Sequence, residues 1–379
     1  MIAAERYDAI VVGAGPAGSA SASVLAQRGR RVLLLEKDRF PRPKVCGEFL
    51  SGSARASLAL LGVREQVDAI AERISRGTIH LPRTGAVAFA LPRPALGVSR
   101  LCLDALLASR AENLGAECRF GTRVIGVDGA PASGFRVRFT DGQGEGVASG
   151  RAVVGAWGRW DSLDRALARG FLARGGRFLG WSRDYAAEPA LSGEVRLYAF
   201  PGGYCGLSRV EGGAVNLAGV VSERLRRRLD PGWDAVVKHA RSENPDLERD
   251  LSSLREGPIG FLGTGPVFFT AKPPAEGGML MVGDAAGVID PFSGEGQAAA
   301  LSSGILAAEM LERALSGEIP LSGLPALYTA AWKRRFRRRF GWSAAFRALM
   351  LHPTLGRLAT PILGPTIVRF AIRKLTADR

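Results

Sequence analysis

The sequence predicts an α/β fold in which an antiparallel β-sheet is inserted into a domain of parallel strands, with a helical C-terminus. Three observations predict it. A strand, a glycine-rich turn, a helix of small residues and a second strand follow one another between Tyr7 and Glu36. Strand-like patterns dominate residues 174–270, and basic helical segments follow Leu321. Parallel strands need helical crossovers, whereas antiparallel strands need only short turns, so the patterns indicate two different sheets.

The stretch from Tyr7 to Glu36 has the pattern of a Rossmann-type dinucleotide site. A buried strand at Ala9–Val12 runs into the turn, and the strand at Arg31–Leu35 leads to Glu36, whose carboxylate suits the hydroxyls of an adenosine ribose. Of the three glycines, one permits the tight turn, one lets backbone N–H groups approach a pyrophosphate, and one lets helix and strand pack closely. The helix N-terminus favours negative charge there. The residues predicted to hold the dinucleotide are Gly13, Gly15, Pro16, Ala17, Gly18, Glu36 and Lys37.

The composition is that of a globular protein. Of 379 residues, 46% are hydrophobic and 23% are charged, which allows a large core. The scattered cysteines lack the spacing of a zinc site or a disulfide framework, so no metal is predicted and a reducing cytosol is expected. The sequence shows no signal peptide and no run of about 18 apolar residues. We therefore expect a cytoplasmic protein without a membrane span.

The net charge of +15 is concentrated towards the C-terminus, where Asp378 is the one acid after Ala331. Aromatic residues alternate with the first of these charges, at Trp332, Phe336, Phe340 and Trp342. The pattern favours a solvated helical face with the aromatics packed on the main body. A helix lying on an anionic membrane surface is the alternative, and would make the protein peripheral at the membrane. No nucleic-acid motif accompanies the charges, so no nucleic-acid partner is expected.

Hydrophobic periodicity places the remaining elements. Helices are predicted at Arg100–Leu114, Ser222–Leu229, Trp233–Arg241 and Gly294–Leu315. Strands are predicted at Ile74–Leu81, Ala86–Leu91, Glu117–Phe120, Arg123–Val127, Phe135–Phe139, Arg151–Ala156, Arg177–Trp181, Val195–Phe200, Gly203–Val210, Ala214–Val220 and Gly278–Val282. The nucleotide domain is accordingly expected to comprise residues 1–73, 98–173 and 271–320, the substrate domain 74–97 and 174–270, and a basic helical segment 321–379.

A second motif, Met-Leu-Met-Val-Gly-Asp-Ala-Ala-Gly-Val-Ile-Asp-Pro-Phe-Ser-Gly-Glu-Gly-Gln, begins at Met279. A strand ends at Gly283, Asp284 can bind a polyol hydroxyl, and the following helix N-terminus favours negative charge on a bound ring system. This motif resembles the second FAD-contacting motif of the para-hydroxybenzoate hydroxylase-like flavoprotein superfamily, in which the Asp binds the ribityl chain. The resemblance covers nearly the whole chain and implies FAD. It also implies that Arg100 approaches the pyrophosphate and ribityl region, and that Val124 meets adenine through its backbone.

Three segments narrow the branch of that superfamily. Phe40-Pro-Arg-Pro-Lys-Val-Cys-Gly-Glu-Phe-Leu-Ser and Tyr198-Ala-Phe-Pro-Gly-Gly-Tyr-Cys-Gly resemble the Lys-x-Cys-Gly and Phe-Pro segments of the geranylgeranyl reductase group. Asp290-Pro-Phe-Ser-Gly-Glu-Gly is shared by reductases and flavin-dependent halogenases. The halogenase Trp-x-Trp-x-Ile-Pro signature is absent, and Gly287 stands where aromatic hydroxylases usually carry His.

The resemblance assigns roles to individual residues. It places Cys46 at the flavin ring as a catalytic residue that shapes or protonates the substrate site, with an inert buried thiol as the alternative. Glu295 could act near the flavin loop or only stabilise the helix N-terminus. The cofactor-binding residues implied beyond the first motif are Lys44, Cys46, Gly47, Arg100, Val124, Gly283, Asp284, Gly294, Glu295 and Gly296. The substrate is expected near Tyr204, Cys205, Pro291 and Phe292.

One position departs from the superfamily. The motif Gly-Ala-Asp-Gly, which supports the pyrophosphate region and the approach of NAD(P)H, reads here as Gly155-Ala-Trp157-Gly158-Arg159. An indole cannot replace the hydrogen bonds of a carboxylate. We expect Trp157 to pack near the cofactor and Arg159 to offer a compensating charge, and the electron donor to be NAD(P)H or a partner reductase.

The resulting expectation is an FAD-dependent oxidoreductase acting on a hydrophobic small molecule. In the favoured hypothesis, reduced flavin delivers hydride to a C=C bond of an isoprenoid- or polyketide-like substrate. The alternative is a monooxygenase that hydroxylates a hydrophobic aromatic or polyketide through a flavin C4a-hydroperoxide, and a halogenase is less consistent with the motifs. A flavin-binding module without activity fits poorly, because both cofactor motifs are intact. Hydride transfer proceeds without oxygen, whereas hydroxylation requires it.

Overall fold

The computed structural model describes residues 6–82, 85–174, 177–186 and 191–351, so the predicted basic residues from Arg357 onward lie outside the description. Within these ranges, the strands in chain order are β1 (Arg6–Val12), β2 (Val32–Glu36), β3 (Phe49–Leu50), β4 (Glu72–Leu81), β5 (Gly85–Gly97), β6 (Glu117–Phe120), β7 (Arg123–Ala130), β8 (Gly134–Asp141), β9 (Gly144–Gly155), β10 (Phe178–Tyr185), β11 (Glu194–Phe200), β12 (Gly203–Arg209), β13 (Val215–Ser222), β14 (Glu256–Val267), β15 (Ala275–Glu276) and β16 (Met279–Met281).

The helices lie between and after these strands. They are α1 (Pro16–Gln27), α2 (Arg55–Leu60), α3 (Arg64–Ile70), α4 (Arg100–Asn113), α5 (Ser162–Ala166), α6 (Glu223–Arg226), α7 (Asp234–Glu243), α8 (Pro245–Ser252), α9 (Gly296–Leu315) and α10 (Leu324–Leu351). Short 3₁₀ turns lie at Gly52–Ala54, Gly170–Arg174, Glu211–Gly213, Gly283–Ala285 and Pro291–Ser293.

The first sheet has the strand order β15-β16-β9-β1-β2-β6. Neighbouring strands from β16 to β6 are parallel, and β15 joins as an antiparallel edge. β9 is long: its C-terminal part pairs with β1, and its N-terminal part pairs with β8 in an antiparallel meander that also includes β7. β2 is buried along its whole length, because helices and strands cover both of its faces, and its sequence Val-Leu-Leu-Leu-Glu therefore lacks alternation.

Helices α1 and α9 pack closely against each other and bring two helix N-termini together. A Cβ added to Gly304 of α9 would lie 2.1 Å from the carbonyl oxygen of Ala17. The Ser21 hydroxyl donates to the carbonyl oxygens of both Ala17 and Gly304, at 3.1 and 2.9 Å. Small residues permit this approach, and the first residues of both helices, Pro16 and Gly296, line the same cavity.

The second sheet has the order β14-β10-β13-β12-β11-β4-β5-β3 and is antiparallel except for the parallel pair β11 and β4. One face packs against α7 and α8 around Trp181, Tyr198 and Leu217, which are fully buried. The opposite face is turned towards the cavity. The α/β fold with a mainly antiparallel second sheet is thus confirmed.

Several elements differ from the sequence-based expectation. β14 was not predicted, because glycines and prolines interrupt its sequence Glu-Gly-Pro-Ile-Gly-Phe-Leu-Gly-Thr-Gly-Pro-Val. The dipeptide strand β3 lies inside the predicted first segment of the nucleotide domain, yet it pairs with β5 of the second sheet. β9 begins at Gly144 rather than Arg151, because residues 144–150 extend the strand to pair with β8. The short helices α2, α3 and α8 were also missed.

Helix α10 lies across the molecule and packs through its aromatic residues. Trp332 and Phe336 are 4% and 1% exposed and join the core of the first sheet. The Tyr328 hydroxyl donates to the carbonyl oxygen of Met281, at 2.8 Å. The Ser343 hydroxyl accepts from the Asp290 N–H, at 3.0 Å, so the helix reaches the loop of the second motif.

Candidate active site

A cavity of about 590 Å³ lies between the two sheets and gathers most of the predicted site residues. Its walls come from the turns after β1, β2 and β9, from the segment before β3, from the second motif, and from the second sheet. The predicted residues that line it are Gly13, Gly15, Pro16, Ala17, Glu36, Lys37, Lys44, Cys46, Gly47, Arg100, Val124, Tyr204, Gly283, Asp284, Pro291, Phe292, Gly294 and Gly296.

The glycine turn after β1 lets backbone segments approach one another more closely than side chains would allow. Gly13 has φ +105°, and a Cβ there would lie 2.4 Å from the carbonyl oxygen of Ala156. At Gly15, an added Cβ would lie 3.7 Å from Nη2 of Arg100, so this backbone faces a guanidinium group. Gly18 does not line the cavity; its missing Cβ lets helix α1 approach the carbonyl oxygen of Gly13. The turn thus offers the N-terminus of α1 and a cation to the same space, as a pyrophosphate requires.

Glu36 lies at the end of β2 and is 5% exposed. Its Oε2 accepts a hydrogen bond from the Ala14 N–H at 2.8 Å, and its Oε1 accepts from the Asp38 N–H at 3.1 Å. Nη2 of Arg42 lies 3.5 Å from the same Oε2. The carboxylate is therefore fixed at the cavity wall, oriented by the backbone that forms the glycine turn.

A buried charge network connects Glu36 to Arg100. Asp104 is fully buried and accepts two hydrogen bonds from Arg100, both at 2.6 Å, and one from Nη1 of Arg42 at 2.8 Å. Burial alone would lower the pKa of Arg100, but Asp104 outweighs it and raises that pKa. Arg100 therefore remains a cation at the cavity. Sequence reasoning missed Arg42 and Asp104, because their pairing joins segments far apart in the chain.

Two lysines lie at the rim of the same region. The Lys37 amino group donates to Oδ2 of Asp161 and the Lys44 amino group to Oδ2 of Asp38, each at 2.7 Å. Burial would raise the pKa of Asp161, but the hydrogen bond from Lys37 outweighs it and lowers that pKa. Asp161 is thus ionised at neutral pH, and the ion pair closes the space between the ends of β2 and β9.

Cys46 lies in the segment that precedes β3. Its Sγ accepts from the Glu48 N–H at 3.4 Å and from Nε2 of Gln297 at 3.5 Å. Burial raises the pKa of the thiol, so it stays protonated at neutral pH. The second sheet holds the segment in place, since Asn216 donates to the Cys46 carbonyl at 2.9 Å and Ser208 to the Gly47 carbonyl at 3.1 Å. A neutral thiol can donate a proton but is a poor nucleophile.

Glu48, two residues further on, is a partly buried acid that the sequence analysis did not single out. Its Oε1 accepts from the Arg100 N–H at 3.0 Å, and its backbone has φ +53°, which is uncommon for a residue with a side chain. Burial raises its pKa from 4.5 to about 7. Glu48 is therefore partly protonated near neutral pH, next to Cys46 and behind the cavity wall.

The loop of the second motif is fastened from behind by two buried cations. Arg169 donates to the carbonyl oxygens of Ala285 at 2.9 Å and Pro273 at 3.0 Å. The amino group of Lys272 donates to the Asp284 carbonyl at 2.8 Å and to the Arg159 carbonyl. Burial lowers the pKa of Lys272 from 10.5 to about 8. Asp284 itself lines the cavity, so these contacts fix the position of the expected ribityl-binding acid.

Trp157 occupies the place of the superfamily's carboxylate and has a carboxylate as its partner. The indole Nε1 donates to Oδ1 of Asp164 at 3.1 Å, and Nη1 of Arg169 donates to the same oxygen at 3.0 Å. Trp157 lines the cavity, whereas Asp164 is fully buried behind it. The expected compensating charge, Arg159, also lines the cavity and donates to the Val45 carbonyl at 3.0 Å.

Cys205 does not lie where it was expected. It is fully buried on the face of β12 that packs against Trp181 and Tyr198, away from the cavity. Neighbouring strand residues point to opposite faces, so Tyr204 and Gly206 line the cavity and Cys205 cannot. The expectation of a pocket-lining role for Cys205 is therefore wrong.

Glu295 is fully buried and does not line the cavity either. It accepts hydrogen bonds from the hydroxyls of Ser51 at 2.5 Å and Ser53 at 2.9 Å, and Nη1 of Arg339 lies 3.9 Å from its Oε2. Glu295 therefore fastens the start of α9 to the segment after β3 and to α10.

The remaining substrate residues form an aromatic corner at the second motif. The Tyr204 hydroxyl donates to Oδ1 of Asp290 at 2.5 Å and accepts from the Phe292 N–H at 2.9 Å. The rings of Tyr204 and Phe292 meet edge to face, with centroids 5.5 Å apart. Pro291 lies beside them on the cavity wall.

Gly287 explains one departure from the aromatic hydroxylases. A Cβ at this position would lie 2.6 Å from the ring of Phe340 and 3.0 Å from Cα of Ala271. A histidine does not fit, because helix α10 fills the space with Phe340. The loop is thus packed by an aromatic ring at the point where hydroxylases carry an imidazole.

These residues fit FAD. The glycine turn and Arg100 suit a pyrophosphate, Glu36 suits a ribose, and Asp284 suits a ribityl chain, all around one cavity. A family model described as "FAD binding domain" matches residues 6–167. A menaquinone reductase from Mycolicibacterium smegmatis is 31% identical over 99% of this chain and 91% of its own length. The chain belongs to the para-hydroxybenzoate hydroxylase-like superfamily of FAD-dependent oxidoreductases. Within it, the chain falls in the geranylgeranyl reductase-like branch.

Other relatives of this flavoprotein support the same placement. A digeranylgeranylglycerophospholipid reductase from Methanothrix thermoacetophila is 28% identical over 89% of this chain and 84% of its own length. Two solved structures share the fold: a geranylgeranyl bacteriochlorophyll reductase-like protein from Thermoplasma acidophilum (TM-score 0.78, 22% identity, 99% and 96% coverage) and the myxobacterial chondrochloren halogenase (0.78, 24%, 91% and 82%). Across the described residues, no helix is both long and apolar enough to cross a bilayer.

Proposed function

We propose that this flavoprotein reduces C=C bonds in the isoprenoid chain of a lipid such as a prenylated quinone or a prenylated glycerophospholipid. The observation that carries the proposal is the placement of Cys46: a protonated thiol lies on the wall of a cavity that the FAD motifs share with an apolar sheet face. The names of the full-length relatives, a menaquinone reductase and a digeranylgeranylglycerophospholipid reductase, point to the same substrate class.

The apolar face suits a hydrocarbon chain. Ile79 of β4, Phe89 and Leu91 of β5, and Val195 and Leu197 of β11 line the cavity on the side of the second sheet. Burial of an isoprenoid chain against this wall is favourable, at roughly 0.8 kcal/mol per CH₂ group removed from water. The aromatic corner at Tyr204 and Phe292 lies where this wall meets the second motif. A double bond held there would lie between the apolar wall and the flavin loop.

The chemistry divides between the cofactor and the chain. When bound, reduced FAD supplies a hydride, and saturating a C=C bond requires one proton in addition. Cys46 is the proton donor in this proposal, because burial keeps its thiol protonated and Gln297 fixes its sulfur. The thiol regains its proton from water or through Glu48, whose pKa of about 7 suits proton exchange at neutral pH. Each turnover consumes two electrons, which reach FAD from NAD(P)H or from a partner reductase.

Two electron donors are compatible with the proposed reaction: NAD(P)H that binds this protein directly, and a partner reductase. Trp157 replaces the acid that assists NAD(P)H in the superfamily, which favours a partner reductase. Anaerobic mixing of the FAD-loaded protein with NADH and then NADPH separates the two, because only a direct donor bleaches the flavin without a partner.

Product analysis tests the proposal. FAD-loaded protein, reduced under anaerobic conditions, is mixed with menaquinone whose quinone ring has been reduced beforehand, or with digeranylgeranyl glycerophospholipid, and the product mass is determined. We expect the lipid to gain hydrogen atoms and no oxygen. Cys46→Ala should slow this step by about 100-fold or more while FAD stays bound, since general acids contribute factors of this size. Cys102→Ala is the matched control, because this thiol lies outside the cavity wall. A product that gains oxygen, and only in air, would establish the monooxygenase alternative instead.

A further inference from the structure

Helix α10 carries an exposed cluster of cations, which we call the basic face. It consists of Lys333, Arg334, Arg335, Arg337 and Arg338. Within the described part of the chain, none of these side chains has an ion-pair partner. Some other arginines at the surface have an acidic partner: Arg227 pairs with Glu223, Arg241 with Glu248 and Arg313 with Glu318. The basic face is therefore a concentration of uncompensated positive charge.

The basic face cannot turn towards the protein, because the other side of α10 is anchored. Trp332 and Phe336 are buried in the core, and the Tyr328 hydroxyl is bonded to the Met281 carbonyl. Arg339 belongs to this anchored side, since it is 6% exposed and lies beside Glu295. Arg339 follows Arg337 and Arg338 in the sequence, but the structure places it on the opposite, buried side of the helix.

Two large apolar side chains extend the same exposed surface. Leu327 and Trp342, on α10 before and after the basic face, are 46% and 39% exposed. Long basic side chains beside an exposed tryptophan are typical of a helix at a membrane interface, where cations meet lipid phosphates and the aromatic ring enters the headgroup layer. Nucleic acid or an acidic protein would use the cations but gives no role to Leu327 and Trp342.

The basic face also lies next to the active-site loop. Ser343 accepts a hydrogen bond from the Asp290 N–H, and Phe340 packs against Gly287 in the second motif. Arg338 and Ser343 are separated by about 7.5 Å along the helix axis. A surface that held the basic face would therefore hold the flavin loop close to it.

We infer that the basic face, with Leu327 and Trp342, is a docking surface for a bilayer rich in anionic lipids. The inference rests on the proposed function for its purpose, since a lipid substrate has to leave a membrane to reach the cavity. The docking itself is independent of catalysis. Each basic residue near an anionic surface strengthens binding by roughly fivefold at moderate ionic strength.

Vesicle co-sedimentation with the full chain loaded with FAD tests the inference. The probes are vesicles of phosphatidylcholine alone and of phosphatidylcholine with phosphatidylglycerol. We expect binding to the anionic vesicles only, weakened by salt, and reduced by about three orders of magnitude when all five residues of the basic face are replaced by Gln, since five factors of about five multiply. The matched control replaces five other exposed arginines with Gln, so that the change in net charge is the same: Arg136, Arg138, Arg224, Arg227 and Arg228.

A second readout locates the contact. Brominated lipids should quench the fluorescence of the wild type more than that of Trp342→Phe, because this tryptophan enters the headgroup layer. The inference would be overturned if the control variant lost as much vesicle binding as the variant without the basic face. It would also be overturned by equal binding to neutral vesicles, or by unchanged binding after the basic face is removed. Preferential binding to an oligonucleotide or an acidic protein would overturn it as well. All variants are compared at equal FAD content, and none of these results depends on turnover, so a failure of the proposed reaction is recognised separately.

Discussion

Glu48→Gln should raise the free energy of unfolding above neutral pH, by an amount that depends on the pH. The carboxyl of Glu48 titrates near about 7 in the folded protein, because burial raises its pKa, and near its ordinary value of 4.5 in the unfolded chain. Between these values the folded state holds a proton that the unfolded state has lost, so the contribution of Glu48 to stability falls as pH rises from about 4.5 to 7. Above pH 7 the ionised carboxylate costs about 3 kcal/mol.

Glutamine removes this cost and keeps an oxygen that can accept from the Arg100 N–H. The difference in unfolding free energy between variant and wild type should therefore rise by about 2–3 kcal/mol from pH 5 to pH 8. Urea unfolding of the FAD-loaded proteins, followed by circular dichroism at both pH values, measures it. Glu65→Gln is the matched control, because Glu65 is an exposed acid on α3. A difference that is constant with pH would refute the assignment of a raised pKa to Glu48.

Four further substitutions address the cofactor site. Asp104→Asn should lower the free energy of unfolding by about 3–5 kcal/mol, measured by urea unfolding, because Arg42 and Arg100 lose their buried counter-charge. Lys272→Met removes a buried cation behind the flavin loop and should weaken the binding of reduced FAD about tenfold relative to oxidised FAD. The midpoint potential of the bound flavin should therefore be about 30 mV lower, measured by a dye-coupled redox titration. Glu36→Ala and Asp284→Ala should each reduce FAD affinity roughly tenfold or more, measured by flavin fluorescence, and full flavin content in both would contradict the cofactor geometry.

The first motif was predictable because its parts are local. A strand, a tight turn, a helix N-terminus and an acid at the end of the next strand are all encoded within Tyr7–Glu36, and the register between β1 and β2 follows from that order. The second motif has the same property, since Gly283 and Asp284 directly follow β16. Local signals of this kind indicate the fold class and the part of the cavity wall that the two motifs form.

The charge network and the second sheet were not predictable in the same way. In the sequence, nothing distinguishes Asp104 from an ordinary helix residue. It lies between Arg42 and Arg100 only because α4 packs against the segment before β3. Cys205 was assigned to the wrong face of β12, because a shift of one residue moves a strand side chain to the opposite face. Glu48 gave no signal at all, since its pKa depends on burial by elements that are distant in sequence.

The most direct test of the account is the reoxidation of reduced flavin in the absence of oxygen. The FAD-loaded protein is reduced photochemically in an anaerobic cell and mixed with a prenylated quinone whose quinone ring has been reduced beforehand, and the flavin absorbance is followed. The account predicts that the oxidised flavin bands return, with one C=C bond saturated per flavin and a much slower return in Cys46→Ala. Flavin that stays reduced until air is admitted, with oxygen then appearing in the lipid, would contradict the reductase assignment.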